Sequence, residues 1–384
     1  MKLVSQHTCS GCGSCAAACP QKCIEMASDF EGFRYPQVDA DRCINCGSCQ
    51  LTCPVLNAIP VADCVDILAA KHCDIELRLR SSSGGVFSAL AENVLSRGGA
   101  VCAAAYEDDF TVVHFVSRVQ TDMPRFRGAK YTQSCAEQCF PEIKKMLCEN
   151  IPVLFVGTPC QTAGLRCYLG REYEKLLLVD MVCHGVPSPA VWRKYLDEQA
   201  QSAGSAINDI NMRSKSSGWS RYSYSVERHH ADGTEFSVKQ GQDWFMRGFT
   251  GDLYLRPSCG NCSFKGVERC SDLTLGDCWG IWETHPEFDD NKGISLLLIQ
   301  SDKGRKIWDA IKPAFHWIEL SVDDAVRYNP STVQSAAAHP RREEFFARLD
   351  KESVSGLIQE CLIPPVSPER TFLQRLKGKL FPKK

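Results

Sequence analysis

The 384-residue sequence predicts two units of different class: an N-terminal α+β cysteine module over residues 1–60, and a mixed-sheet α/β domain over residues 61–320. Three observations predict this. Two matched cysteine runs crowd the chain before Asn57. Beyond them, short apolar runs alternate with segments of helical periodicity, the pattern of βαβ units and a parallel or mixed sheet. The length also exceeds one average domain, so two or three units are expected.

Cys9, Cys12, Cys15 and Cys19 stand at C-x2-C-x2-C-x3-C spacing with Pro20 behind them, and Cys43, Cys46, Cys49 and Cys53 repeat it with Pro54. This is bacterial-type ferredoxin spacing, in which three cysteines of each run hold one 4Fe-4S cluster and the fourth crosses to the other. Cys9, Cys12, Cys15 and Cys53 are therefore expected around one cluster, and Cys43, Cys46, Cys49 and Cys19 around the second. Gly11, Gly13 and Gly47 suit loops that need positive φ. A zinc or disulfide module is the alternative, but two matched runs of four, each with its proline, favour the two clusters. Cys23, just past the first run, reads as a spare packing thiol.

Composition narrows the class. The 44% hydrophobic content is that of an ordinary globular protein. With 44 Lys+Arg against 46 Asp+Glu, nothing points to nucleic acid. The 23 cysteines are odd in number and scattered, which argues against a secreted disulfide scaffold. The first cluster ligand comes too early for a removable signal peptide. No apolar run approaches the ~20 residues of a transmembrane segment. A cytoplasmic location is expected.

Along the chain, residues 24–38 read as short strands and turns of the cysteine module, and 64–71 as a strand. Ser81-Ser82-Ser83-Gly84-Gly85 precedes a helix that a serine would cap and Gly98 would stop. Strands are expected over 100–106 and 110–117, and a helix over 135–149 that starts or kinks at Pro141. Residues 61–150 form the first part of the α/β domain and 151–320 the second. The second part opens with strand 153–156, a helix from Pro159 to about Leu169, strand 176–182 and helix 189–203. Further strands are expected at 207–212, 222–226, 273–275 and 294–299. From 321 to 384 the chain reads as a polar and basic tail.

A second set of cysteines stands out. Cys160 lies at a strand-to-helix turn, Cys183 ends the next strand, and Cys259 and Cys262 form a C-x2-C. Carboxyl ends of neighbouring strands are where open α/β sheets bind ligands, so a four-thiolate site is one reading and buried packing thiols another. Cys270 and Cys278 are rival ligands. Ser82, Ser83, Gly84 and Gly85 suit either a helix cap or a phosphate site. Arg127-Gly128-Ala129-Lys130-Tyr131 suits a dinucleotide pyrophosphate or a solvated loop. His184 is a proton relay or a histidine satisfied by the backbone.

Taken in order, Ser82-Ser83-Gly84-Gly85-Val86-Phe87-Ser88, Arg127-Gly128-Ala129-Lys130-Tyr131, Gly157-Thr158-Pro159-Cys160-Gln161, Cys183-His184-Gly185-Val186-Pro187-Ser188, Arg256-Pro257-Ser258-Cys259 and Gly276-Asp277-Cys278-Trp279-Gly280 resemble the coenzyme F420 hydrogenase/dehydrogenase beta-subunit family. The likeness covers roughly residues 1–310 and is to a bacterial branch with a fused two-cluster ferredoxin domain. It implies an iron–sulfur flavoprotein oxidoreductase holding FAD and a third 4Fe-4S cluster. The third cluster falls to Cys160, Cys183, Cys259 and Cys262, with Cys270 and Cys278 ranked below them. The flavin surroundings become Ser82, Ser83, Gly84, Gly85, Arg127, Gly128, Lys130, Tyr131, Gln133, Ser134, Thr158, Pro159 and Gln161. His184, Lys130 and Lys215 are the expected catalytic contacts, with Arg127 a further anion contact.

The resemblance implies single electrons relayed through clusters to FAD, and hydride exchange with coenzyme F420 or a substitute substrate. Bacterial members often accompany polysaccharide biosynthesis loci, which makes that pathway a source of substrate. Partners are then a redox protein or ferredoxin and a deazaflavin or other small molecule, with no nucleic acid. The rival is an electron-transfer subunit that docks on a partner enzyme and has no substrate of its own. A zinc-stabilised binding module is a third reading. In the tail, Arg370, Arg375, Lys377 and Lys379 around Phe372, Leu373 and Leu376 suit peripheral membrane or partner contact, or simply solvent.

Overall fold

A computed structural model of the chain describes residues 3–61 and 66–363. The basic cluster around Arg370–Lys384 lies outside the described residues. In the cysteine module, helix α1 (Ser14–Ala17) precedes the antiparallel pair β1 (Ile24–Ser28) and β2 (Arg34–Val38), and α2 (Ser48–Leu51) follows. Gly11, Gly13 and Gly47 have φ of 71°, 74° and 79°, as the loops beside the cysteines require.

The rest is built on a nine-stranded mixed sheet. Its strands are β3 (Asp66–His72), β4 (Ala100–Tyr106), β5 (Val112–Ser117), β6 (Ser134–Cys135), β7 (Val153–Gly157), β8 (Leu176–Met181), β12 (Leu273–Asp277), β13 (Ser295–Ile299) and β14 (Phe315–Glu319). The order is β14-β3-β13-β12-β8-β7-β4-β5-β6. The central run β12, β8, β7 and β4 is parallel, so the carboxyl ends of all four strands meet along one edge. Helix α3 (Val86–Ser96) packs on one face of this sheet, where Leu90 and Val94 join Leu154, Val179 and Leu297. Helices α4 (Phe140–Cys148) and α5 (Pro159–Leu169) cover the other face through Phe140, Ile143 and Leu165. Strands β9 (Ile207–Ser214), β10 (Ser225–His230) and β11 (Glu235–Lys239) form a separate antiparallel sheet, packed with α6 (Pro189–Ala203) and α7 (Trp244–Thr250).

Several elements differ from the sequence reading for local reasons. Gly85 rather than a serine caps α3, at φ 93° and without a side-chain hydrogen bond. Pro141 sits in the first turn of α4, and the expected helix from 135 is preceded there by a 3₁₀ turn, Glu137–Cys139. The strand expected at 222 begins at Ser225, because Arg221 and Tyr222 take left-handed φ of 54° and 58°. The expected tail from 321 is folded as far as Leu362. Helices α8 (Val322–Arg327), α9 (Arg342–Arg348) and α10 (Val354–Leu362) occupy it, and Phe345, Val354 and Ile358 are wholly buried.

The cysteine module is keyed into the larger domain. Buried Arg256 donates from Nε to the Cys9 carbonyl (2.8 Å) and from Nη2 to the Arg34 carbonyl (3.1 Å), and covers the Tyr35 ring. Arg34 pairs with Glu137 at 2.8 Å, and Glu31 with Arg342 of α9. At Gly164 of α5 an added Cβ would lie 3.0 Å from both Cβ and Sγ of Cys12, so only glycine lets α1 settle this close. Gly164→Val is expected to cost about 1–3 kcal/mol through overpacking. The readout is a lowered thermal midpoint and faster loss of iron from the module than in Gly241→Ala, whose site has no neighbour to strike and no left-handed φ.

Candidate functional site

A cavity of about 660 Å³ opens at the carboxyl ends of the parallel strands. Its floor is Val156-Gly157-Thr158 after β7, Met181-Val182-Cys183 after β8 and Gly276-Asp277 at the end of β12. Ser82, Ser83 and Gly85 enter it at the N-terminus of α3, where unpaired backbone N–H groups favour an anion. Arg127, Gly128, Lys130 and Tyr131 form the opposite side, with Ser134, Thr158, Gln161 and His184 also in the wall. Eleven of the positions expected to surround a cofactor or substrate therefore share one cavity.

Four others do not line it. Gly84 packs behind the wall, its N–H donating to Ser295 Oγ at 2.9 Å and an added Cβ meeting the Ala70 carbonyl at 2.2 Å. Gln133 accepts from the Arg34 N–H (3.0 Å) and from Arg256, so it joins the cysteine module to the domain. Pro159 opens α5 and faces the thiol pocket described below. Lys215, expected to be catalytic, is buried and donates to the carbonyls of Arg78 (2.7 Å), Ser83 (2.6 Å) and Lys292 (3.0 Å). It staples the serine loop in place. Lys130 is similarly engaged, with the Arg125, Arg127 and Gly128 carbonyls at 2.8, 2.7 and 3.2 Å. Burial pulls each ammonium down to about 7. With three acceptors apiece, both are committed to shaping loops.

The strongest charge in the wall was not legible locally. Arg213, 5% exposed at the end of β9, makes a two-pronged pair with Asp277 at 2.8 and 2.9 Å. It also donates to Tyr131 Oη (3.1 Å) and stacks on Tyr224 and Trp279. Asp277 and its neighbours raise the Arg213 guanidinium well above its usual range, against the opposing effect of burial. Its Nε and the Thr132 hydroxyl are buried with no hydrogen-bond partner, the condition of groups awaiting a polar ligand. A helix N-terminus, a partly free Arg127 held by Ser88 at 3.0 Å, and aromatic walls suit a nucleotide with a planar ring.

A second pocket, about 40 Å³, shares Cys183, His184, Gly185 and Val186 with the cavity. Cys160, Cys183, Cys259 and Cys262 all line it, together with Lys265 and with Thr8 and Ser10 of the cysteine module. Burial pushes Cys160 up to about 12 and Cys183 higher still, so a positively charged iron centre is what would favour their thiolates. Carboxylates are missing from this lining and both His184 nitrogens have other partners, so the four thiols are the donors, a set that suits zinc or an iron–sulfur cluster. Among the described residues, no three His, Cys, Asp or Glu gather around a single ion. A cuboidal cluster needs no such gathering, because it presents a separate iron to each thiolate. Cys278 packs with Trp219 and Ile294 in a different core, and Cys270 faces Arg166 and Thr162, so neither rival reaches the pocket.

The module cysteines lie in an inner group around Cys15 and an outer group around Cys19. Burial pushes Cys15 up to about 12, and the nearby Cys9 and Cys53 thiols add to it. Cys19, Cys43, Cys46 and Cys49 line a separate pocket at the outer end. Cys12 of the inner set is near enough to Cys160 for their charges to interact.

His184 bridges the two pockets, with Nε2 2.6 Å from Asp252 Oδ1 and Nδ1 3.1 Å from Ser331 Oγ. His114, in the cavity wall, is differently placed. Its Nε2 meets the Val156 carbonyl at 2.9 Å, and Ser134 Oγ lies 3.0 Å from Nδ1. Burial, aided by Lys130, holds this imidazole down to about 4, from 6.5. In that window the unfolded chain binds a proton that the folded chain refuses, so stability falls as pH drops from 6.5 towards 4. Between pH 7 and 5 this group alone should remove roughly 2 kcal/mol. His114→Gln is expected to flatten the acid side of the melting-temperature profile; an unchanged slope would count against it.

Residues 152–321 match the family model for the C-terminal part of the coenzyme F420 hydrogenase/dehydrogenase beta chain, and residues 8–57 match the 4Fe-4S dicluster domain. Among solved structures, a chain from a xenon-derivatised F420-reducing NiFe hydrogenase complex of Methanosarcina barkeri is similar over 75% of this chain and 93% of its own. The TM-score is 0.48 and the identity 16%. No curated relative matches the chain. No helix among the described residues is long and apolar enough to cross a membrane.

Proposed function

Because the chain belongs to the coenzyme F420 hydrogenase/dehydrogenase beta-subunit family and carries a 4Fe-4S dicluster domain, we propose that it is a three-cluster FAD oxidoreductase. In this reading it relays single electrons to FAD for hydride exchange with F420 or a substitute small molecule. One observation carries the proposal: the four-thiol pocket and the large cavity share Cys183 to Val186, while Cys12 of the module lies near enough to Cys160 for their charges to interact. The order is therefore outer thiol set, inner set, Cys160/Cys183/Cys259/Cys262, cavity.

Clusters supply one-electron steps, and FAD supplies the conversion between one-electron and hydride chemistry. The chain's own residues do the rest. The α3 N-terminus and Arg127 would bind the pyrophosphate, and Arg213, fixed by Asp277, would meet the ring system between Trp279 and Tyr224. Lys130 and Lys215 hold the loops that carry these groups. His184, between Asp252 and Ser331, would link the thiol pocket to the cavity by hydrogen bonds. Electrons would enter from a redox protein at the outer end, where Cys46 is exposed beside Ile44 and Leu51. A small molecule of polysaccharide biosynthesis would be the substitute substrate in this reading.

The test is anaerobic. The full chain, reduced by a one-electron donor, is mixed with F420 or another hydride acceptor while flavin and acceptor absorbance are followed. Turnover without any partner chain supports the enzyme reading. Flavin reduction that reaches no acceptor until a partner chain is added supports an electron-transfer subunit instead.

A further inference from the structure

The outer thiol pocket holds five cysteines rather than four. Besides Cys19, Cys43, Cys46 and Cys49, its wall contains Cys23. Cys23 is 5% exposed, its Sγ lies 3.3 Å from Cys19 Sγ, and its backbone N–H points at the same sulfur from 3.4 Å. The Cys43 thiol is also close enough to interact with it. Cys23 packs in a small cluster with Ile24, Leu3 and Val38, and beyond that packing its sulfur meets two expected ligands.

The backbone is bent to bring it there. Lys22, whose N–H donates to the Cys19 carbonyl at 3.1 Å, takes a left-handed φ of 48°. A side chain in that region is costly and persists where the surroundings require it. The turn reverses the chain within four residues of Cys19, and the Cys23 carbonyl is then fixed by the Asp39 N–H at 2.8 Å.

We propose that Cys23 is a standby ligand of the outer cluster, able to replace Cys19 on the same iron. The inference rests on Cys19, Cys43, Cys46 and Cys49 holding that cluster. The exchange is balanced: the Cys23 thiol releases its proton, its sulfur bonds to iron, the Cys19–iron bond breaks, and the freed Cys19 thiolate takes up the proton. No electrons move. Two sulfurs this close reach a common iron through side-chain rotation, without rebuilding the loop. The outer end is where Cys46 is open to solvent, so a cluster there is the one most exposed to attack. A second sulfur at the Cys19 corner lets the cluster survive loss of that ligand.

The test counts iron and sulfide in the full chain purified without oxygen. Cys19→Ala is expected to keep its iron and show an altered paramagnetic signal from the outer cluster. Cys19→Ala combined with Cys23→Ala is expected to lose about four irons. Loss of those irons in Cys19→Ala alone would overturn the proposal. If that variant does not accumulate, Cys23→Ala with Cys19 intact serves: it is expected to start with full iron and release the outer cluster to a chelator faster than the parent, and an equal rate would overturn it. A parent chain with no outer cluster would instead remove the assignment on which the proposal rests.

Discussion

Replacing Cys160 and Cys183 together by alanine is expected to lower the iron content by about four per chain and to leave the module's iron in place. The reason is the donor set. Four thiols line one small pocket, and two cannot hold a cluster that uses four. Neither rival cysteine substitutes for them, since Cys278 is packed against Trp219 in another core and Cys270 lies towards Arg166. Flavin should remain bound, because Arg127, Arg213 and the α3 N-terminus are untouched. What should fail is its reduction by a one-electron donor. Iron content unchanged by the double replacement would make these thiols packing residues.

Arg213→Met is expected to cost about 3–5 kcal/mol, because it strands Asp277 without its partner in a buried wall. The same change removes the donor to Tyr131 and the cation between Tyr224 and Trp279. The melting temperature should fall steeply and flavin should be lost. Adding Asp277→Leu separates the two effects. Removing both charges relieves the stranded carboxylate, so much of the stability should return, while flavin binding should not. Recovery of both would make the pair structural only.

How much of this was legible in the sequence depends on distance along the chain. The ferredoxin runs, the Thr158–Gln161 turn and the strands β4, β7 and β8 are local signals, and their positions were readable. Arg213 and Asp277 are joined only by folding; nothing near Arg213 distinguishes it from any other charged residue in a strand. Lys130 and Lys215 misled in the opposite sense. A lysine in a glycine- or serine-rich stretch resembles a ligand-binding cation, yet both are consumed by backbone carbonyls. Gln133 looked like part of the cofactor loop and instead serves the junction with the module. The region after 320 read as a tail because each short helix buries only a few residues, such as Phe345 and Phe346 in α9, too few to establish a period.

The central claim is that three clusters lead to a flavin in one chain. The direct measurement is iron, acid-labile sulfide, zinc and flavin per chain after purification without oxygen. About twelve irons with FAD and no zinc is the predicted result, four for each cluster. About eight irons without flavin would contradict it, leaving the ferredoxin module alone as the redox centre.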